Sequence, residues 1–373
     1  MEEKVKQHAI GLKDVPRLEK LRDRIDGIDD RVLSLLCERQ EIASEIGRHK
    51  KDLGLPIFDP AREQSVLRRL MSNNQGPLSP DAIRSIFSEI ISAARTVQET
   101  GPFAYLGPEG SFCHQAAASC FGQSGTFCAA ESIEDIFALV EKARCEQGIV
   151  PMENSSEGSV STTMDLFSRY DLKICAEVFL RIRHHLLGKK SEKEKITCIY
   201  SHPMALAQCR TWIKTHLPLV RVKEAESTSA AARLAAHEPG ACAIGSRLAA
   251  SPYGLQVLEE SIENHPDNVT RFVAIGKTMT EPTKKDKTSI LFSVPHRAGS
   301  LLQALDALAQ RGINMTRIES RPSRLRNWEY LFYVDIEGHE KDENVSEGLR
   351  EMENSCAFVK RLGSYPTGGA PWD

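Results

Sequence analysis

Apolar side chains recur at Leu18, Leu21, Ile25, Ile28, Val32, Leu35, Ile42 and Ile46. Apart from position 39 the steps alternate between three and four residues, the seam of a coiled coil. The spacing predicts one helix from about Pro16 to Lys51, about 50 Å long at the standard rise. Gly27 and Gly47 each weaken that helix by ~1 kcal/mol relative to alanine. A rod of this kind does not bury its seam alone, so it requires companion helices, a second copy, or both. Two companions follow in the chain. One begins at Pro60, with proline in the first turn. The other begins at Pro80, with Ser79 as its cap.

The missing seam position is Arg39. Its stem can pack along the seam with the guanidinium in water, or an anion can meet it in the helical core. Lys50 lies about three turns further on, and Arg22 sits beside Leu21 near the other end. Three textures divide the chain: a charged helical segment at 14–100, an α/β segment at 102–280, and a shorter strand–helix pattern at 286–364. The Pro/Gly-rich stretch after Tyr365 reads as a loose tail.

Composition narrows the class. The net charge of -3 argues against a nucleic-acid or membrane surface. No apolar run approaches the ~20 residues that span a bilayer. The N-terminus has no apolar signal-peptide core. Ten cysteines without CxxC or zinc spacing read as reduced thiols, so a cytoplasmic protein with no metal is expected. No Gly-x-Gly-x-x-Gly follows a strand and no Gly-Lys-Ser/Thr loop occurs, so no dinucleotide or other cofactor is expected.

In the α/β segment, strand-to-helix junctions recur at 103–112, 148–160, 199–208, 226–232 and 243–249. Each places Gly, Ser, Thr or Asn where a helix begins. Singly these residues are caps. Together, at the carboxyl ends of sheet strands, they form a crevice of N–H groups and hydroxyls suited to an anion. Asn268-Val269-Thr270-Arg271-Phe272 would close it with a hydroxyl and a guanidinium. The last segment reads βαββαβ, the ferredoxin-like order, with a strand expected at 328–336.

These motifs carry three resemblances. Residues 14–100, through Arg22, Glu38-Arg39, Lys50, Asp59, Arg62-Glu63 and Gln98, resemble the all-helical chorismate mutases. That likeness implies that Arg22, Arg39 and Arg62 hold the carboxylates of chorismate. Lys50 and Gln98 would bond its ether oxygen, and Glu63 with Asp59 its ring hydroxyl. It also implies that the long helix pairs with its twin, Arg22 entering the partner's site. Ala94 stands where the family often has serine.

Residues 102–276 resemble prephenate dehydratases, through Tyr105 to Phe112, Val150 to Ser155, Ser201-His202-Pro203, and Asn268 to Phe272. The resemblance implies two α/β subdomains of the periplasmic-binding-protein type with the site between them. Thr270 would be the catalytic hydroxyl, polarised by a neighbour such as Glu153, with His202 an alternative donor. Arg271 would bind a carboxylate. Glu153, Asn154, Ser155, Ser201, His202, Gln208, Ser227, Thr228 and Phe272 would complete the site. Met204 replaces a glutamine of the best-known members. Residues 286–364 resemble the ACT domain of feedback-regulated dehydratases. Gly299-Ser300-Leu301-Leu302 and Glu319-Ser320-Arg321-Pro322 would then form an allosteric phenylalanine site at a dimer interface.

The combined expectation is a multidomain chain: an all-α mutase, an α/β dehydratase and a ferredoxin-like ACT domain. It would convert chorismate to prephenate and prephenate to phenylpyruvate, under feedback by phenylalanine, as a homo-oligomer of at least two subunits. The alternatives are a dehydratase of prephenate or arogenate with a weakened mutase, and a non-enzymatic amino-acid sensor.

Overall fold

A computed structural model describes residues 2–98, 101–189, 195–322 and 330–372, with side chains from Arg17 onward. The chain divides into two compact units, Met1–Ile57 with Ala93–Glu99, and Phe58–Ser92 with Thr100–Asp373. The expected long helix is α1, Glu2–Asp52. It begins earlier than expected because the N-terminal stretch is rich in Glu, Lys and Gln, which favour a helix. Its seam from Leu18 to Ile46 remains about half exposed. The two companions are α2, Pro60–Asn73, and α3, Pro80–Thr96. Ser79 caps α3 as expected, its Oγ accepting from Ala82 N at 3.1 Å, and Asp59, expected only as a substrate contact, caps α2, its Oδ1 accepting from Arg62 N at 2.9 Å.

The first lobe of the larger unit contains β1 (Phe103–Leu106), α4 (Phe112–Phe121), β2 (Phe127–Ala130) and α5 (Ile133–Glu141). It continues with β3 (Gln147–Asn154), β4 (Gly158–Ser159), α6 (Ser161–Arg169) and β5 (Lys173–Arg181). The chain then builds a second lobe from β6 (His185–Gly188), β7 (Cys198–Ser201), α7 (Pro203–Gln208), α8 (Arg210–His216) and β8 (Arg221–Glu224). The second lobe ends with α9 (Thr228–His237), β9 (Ala241–Gly245) and β10 (Gln256–Glu259). It returns to the first sheet as β11, Val269–Gly276. The first sheet runs β2-β1-β3-β11-β5, with β4 beside β3; the second runs β10-β6-β9-β7-β8. β1, β2 and β3 are parallel, whereas β11 is antiparallel to both β3 and β5. The returning strand therefore lies where the sheet changes direction, next to the crossing between lobes.

The C-terminal part is β12 (Asp286–Ser293), α10 (Ser300–Ala309), β13 (Met315–Pro322), β14 (Tyr330–Glu337), α11 (Glu343–Ser355) and β15 (Phe358–Pro366). This is the expected βαββαβ order, in an antiparallel sheet β13-β14-β12-β15. The expected strand at 328–336 is met by β14; Trp328 and Glu329 lie outside the described residues. Alternation gives the sheet two apolar faces. Ile290, Phe292, Val334 and Ile336 pack with α10 and α11. Leu291, Tyr333, Leu362 and Tyr365 instead join one core with α5, α6, Val273 and Ile275. The C-terminal sheet is therefore fused to the first lobe through shared apolar burial rather than hung on a linker.

The tail expectation is corrected. Trp372 N donates to Phe179 O at 2.8 Å, and Arg181 N donates to Trp372 O at 2.7 Å. β5 is an edge strand with unpaired backbone groups, and the tail satisfies some of them. The indole adds apolar contact with the core around Phe58, Phe103 and Phe121.

Candidate active sites

In the helical unit, Arg22 is exposed and Arg39 half-buried, and burial lowers the Arg39 pKa. Lys50, in the last turn of α1, donates through Nζ to Ile57 O at 3.0 Å. Gln98 follows α3 and donates through Nε2 to Ala94 O at 2.9 Å. A Cβ at position 47 would lie 2.7 Å from Gln98 Cγ, so Gly47 creates the room that Gln98 occupies. The glycine that weakens α1 as a helix thus lets a glutamine approach it. Asp59, Arg62 and Glu63 belong to the larger unit, at the start of α2. One oxygen of Asp59 is occupied as the cap, Arg62 is exposed, and Glu63 is half-buried.

The second site is built on β11. Its register places Thr270 opposite Asn154, and Arg271 opposite Glu153. Directly opposed residues share a sheet face, and successive residues alternate. Thr270 and Asn154 therefore lie on one face, Arg271 and Glu153 on the other. Asn154 Oδ1 accepts from Ser156 N at 2.8 Å and from Glu157 N at 3.0 Å. Those two bonds fix the amide orientation, because only its oxygen can accept. The Nδ2 group then donates to Thr270 Oγ1 and to Asn268 Oδ1, each at 2.8 Å. Thr270 is accordingly an acceptor toward Asn154, and its own proton donates to no acceptor among the described residues. Ser155 braces the pair: its N donates to Val269 O at 2.9 Å, and its Oγ accepts from Val269 N at 3.0 Å.

The opposite face corrects two expectations. Arg271 is buried. It donates through Nε to Glu177 at 2.8 Å, through one terminal nitrogen to Asp335 at 2.5 Å, and through the other to the Tyr365 hydroxyl at 2.8 Å. Strand alternation turns it away from Thr270, so it is not placed to share a ligand with that hydroxyl. Glu153 pairs with Arg317 at 3.0 Å, and Asn154, not Glu153, touches Thr270. Phe272 is a core side chain, beside Phe103, Ile149 and Leu180.

Family models match in chain order: chorismate mutase type II over residues 21–99, prephenate dehydratase over 103–280 and the ACT domain over 288–354. The bifunctional chorismate mutase/prephenate dehydratase of Aquifex aeolicus is 42% identical over 353 residues, spanning 94% of this chain and 98% of its own. This chain belongs to the bifunctional chorismate mutase/prephenate dehydratase family. The prephenate dehydratase of Arthrobacter aurescens, solved in complex with L-Phe, is 33% identical with a TM-score of 0.66, over 71% of this chain and 90% of that one. GqqA, described as a novel type of quorum quenching acylase, is 30% identical with a TM-score of 0.66, over 71% of this chain and 97% of its own. The Aquifex relative covers the mutase segment as well, which separates the bifunctional family from a shared α/β architecture.

Within this bifunctional chain the other crevice residues divide by what their side chains already do. Ser201 is fully buried and donates to Ile244 O at 2.6 Å, tying β7 to β9. It is corrected from a crevice contact to a sheet contact. His202 caps α7, its Nδ1 accepting from Met204 N at 3.3 Å. Ser227 caps α9 through Ala230 N at 3.0 Å, and Thr228 is half-buried beside it. Gln208 pairs with the buried His184 at 2.7 Å, where burial lowers the histidine pKa. Three contributors escaped the sequence reading. Asn268 is buried against Asn154. Ser229 donates to Glu109 O, and Ser246 to Gly110 O at 2.6 Å, so two second-lobe hydroxyls grip the 107–111 loop. A Cβ at Gly110 would meet Ala249 Cα at 2.8 Å, so that loop requires glycine. Asn268 was visible in the Asn-Val-Thr-Arg motif; the two serines resembled ordinary caps.

The ACT loop, Gly299-Ser300-Leu301-Leu302, opens α10, with Gly299 left-handed at φ 83°. It lines a cavity of about 300 Å³ with Val294, Tyr330 and Phe332. The Ser300 hydroxyl is buried with no hydrogen-bond partner among the described residues. Glu319 and Arg321 are corrected. They face the dehydratase, Glu319 accepting from Ser159 Oγ at 3.0 Å and Arg321 pairing with Asp165 at 3.3 Å. Alternation leaves Ser320 and Pro322 exposed on the other side of β13. Among the described residues no group of His, Cys, Asp and Glu could hold a metal, and no helix is long and apolar enough to cross a membrane. Asn154→Asp keeps the oxygen for Ser156 and Glu157 but removes the donor to Thr270. Prephenate turnover, followed as phenylpyruvate absorbance, is expected to fall about 100-fold; parental turnover would remove Asn154 from the site.

Proposed function

We propose that the chain rearranges chorismate to prephenate in its helical segment and converts prephenate to phenylpyruvate, carbon dioxide and water at Thr270. The dehydratase reading rests on one observation: Asn154 donates to Thr270 Oγ1 and so leaves the threonine proton for another acceptor. The ring hydroxyl of prephenate is that acceptor. As its C–O bond breaks, the Thr270 proton goes with it as water. The electron pair of the bond to the departing carboxylate moves into the ring, carbon dioxide leaves, and solvent returns the proton. Threonine is a weak acid alone. Donation from Asn154 stabilises the alkoxide character that develops as the proton leaves. Burial of Thr270 keeps bulk water from the fragmenting carboxylate.

The mutase reaction is pericyclic and needs positioned donors rather than a nucleophile. Lys50 and Gln98 carry N–H donors that rest on backbone carbonyls and would exchange them for the ether oxygen of chorismate. Arg22 and Arg39 would supply forks for its carboxylates. Phenylalanine would occupy the Gly299–Leu302 loop, its polar end satisfying the buried Ser300 hydroxyl and its ring meeting Tyr330 and Phe332. The half-exposed seam of α1 is to be covered by α1 of a second subunit.

Lys50→Ala is expected to lower chorismate turnover at least ~100-fold and to spare prephenate turnover. Thr270→Ala is expected to do the reverse. The two ultraviolet assays on the same preparations check both; loss of both activities in either variant would refute the division of labour. Sedimentation equilibrium is expected to give at least a dimer, and Val32→Glu to dissociate it. A monomeric parent protein would overturn the covered seam.

A further inference from the structure

We infer that Asp335, on β14 of the ACT domain, is a positioning residue for dehydration, holding through Arg271 the strand that carries Thr270. The inference rests on the reading of Thr270 as proton donor. Thr270 and Arg271 are consecutive, so the hydroxyl and the guanidinium share one backbone and leave it on opposite faces. Two of the three groups that accept hydrogen bonds from the guanidinium come from the ACT domain: Asp335 at 2.5 Å and the Tyr365 hydroxyl at 2.8 Å. Asp335 is itself oriented, since its second oxygen accepts from Ser289 Oγ at 2.5 Å, and Ser289 also bonds the Tyr365 hydroxyl at 2.6 Å. Glu177 completes the cluster, bound by Arg271 at 2.8 Å and Lys287 at 2.9 Å. Glu153 adds a longer ion pair to Arg271 at 3.9 Å and meets Arg317 at 3.0 Å, so three cations face three carboxylates, and removing one carboxylate leaves an uncompensated charge beside the catalytic strand.

The strand needs such an anchor. The pairing of β11 with β3 slips between Arg271 and Phe272, so the regular ladder is interrupted after the Arg271–Glu153 pair, one residue beyond Thr270 and Asn154. The other member of that pair is held in the same way. Glu153, adjacent to Asn154, is bound by Arg317 of β13 at 3.0 Å, and Arg317 also donates to Ser159 at 2.7 Å. Each residue of the Thr270–Asn154 hydrogen bond therefore has a sequence neighbour gripped from the ACT sheet. Burial alone lowers the pKa of the guanidinium, but Tyr365, Asp335 and Glu177 outweigh it and raise that pKa. Burial likewise opposes ionisation of Asp335, and Arg271 and Ser289 overcome it. Both groups stay charged in the folded chain. A ligand that displaces β13 or β14 moves these two anchors, and with them the donor–acceptor geometry of the site. Inhibition is then a loss of alignment, with no need to block the crevice.

The test uses the full chain carrying Asp335→Asn, which keeps the shape, removes the charge and leaves one accepting oxygen where the carboxylate offers two. The expected result is a prephenate kcat lowered about 10- to 100-fold, with KM for prephenate and chorismate turnover within about twofold of the parent. Phenylalanine is expected to bind by calorimetry as in the parent yet to change the residual dehydratase rate less than about twofold, since the link to the strand is broken. If this variant loses phenylalanine binding or near-ultraviolet dichroism, Ser289→Ala, which loosens Asp335 without changing charge, is expected to give a smaller fall in kcat of the same kind. The double variant Asp335→Asn with Arg271→Gln is expected to be no slower than the slower single one, because both act through one contact. Parental kcat and parental inhibition in Asp335→Asn, or additive losses in the double variant, would overturn the inference. Thr270→Ala run alongside keeps the two ideas apart. Activity in that variant sinks the proton-donor reading, whereas its inactivity beside a normal Asp335→Asn sinks only the positioning role.

Discussion

The alternation of side chains along β11 organises the larger unit. One peptide unit separates a hydroxyl that faces the asparagine of β3 from a guanidinium that faces the ACT sheet. A strand buried on both faces ordinarily carries apolar residues throughout. This one carries Thr270 and Arg271 at its start and Phe272 to Ile275 beyond, so its polar end holds both the candidate hydroxyl and a contact with the ACT sheet. The buried guanidinium is tolerable because Glu177, Asp335 and Tyr365 all reach it.

The ACT sheet is also part of the core of the larger unit. Its inner face supplies Leu291, Tyr333, Leu362 and Tyr365 to the same core that holds α5, α6 and the central strands. Apolar burial of that kind makes the two domains one packed body, and the charged cluster sits within it. Close-packed interfaces transmit displacement because side chains have no free volume into which to yield. Gly363 makes the approach possible. At φ 144°, a Cβ there would lie 2.3 Å from Ile174 O, so β15 crosses β5 with backbone against backbone.

Much of this was legible in the residues. The three-and-four spacing gave α1, Pro60 and the Ser79 cap gave the starts of α2 and α3, and βαββαβ gave the last domain. Glycine was harder to read. Gly47 counts against a helix by propensity, yet the space it leaves holds Gln98 from a segment about fifty residues later. Glu153, Asn154, Thr270 and Arg271 could be grouped as polar and adjacent, but not sorted by face. The Pro/Gly-rich tail looked loose because its partner, the open edge of β5, is about two hundred residues away.

The sequence by itself determined the elements, their order and the chemical types available, because periodicity, caps and turn residues are local properties. It placed a hydroxyl, an amide and a guanidinium in two short motifs. Only the tertiary structure decided that the amide meets the hydroxyl while the guanidinium meets Asp335. That outcome depends on the register between strands remote in the chain and on which sheet covers each face. A slip of one residue in that register would exchange the two sides, and nothing within either motif forbids it.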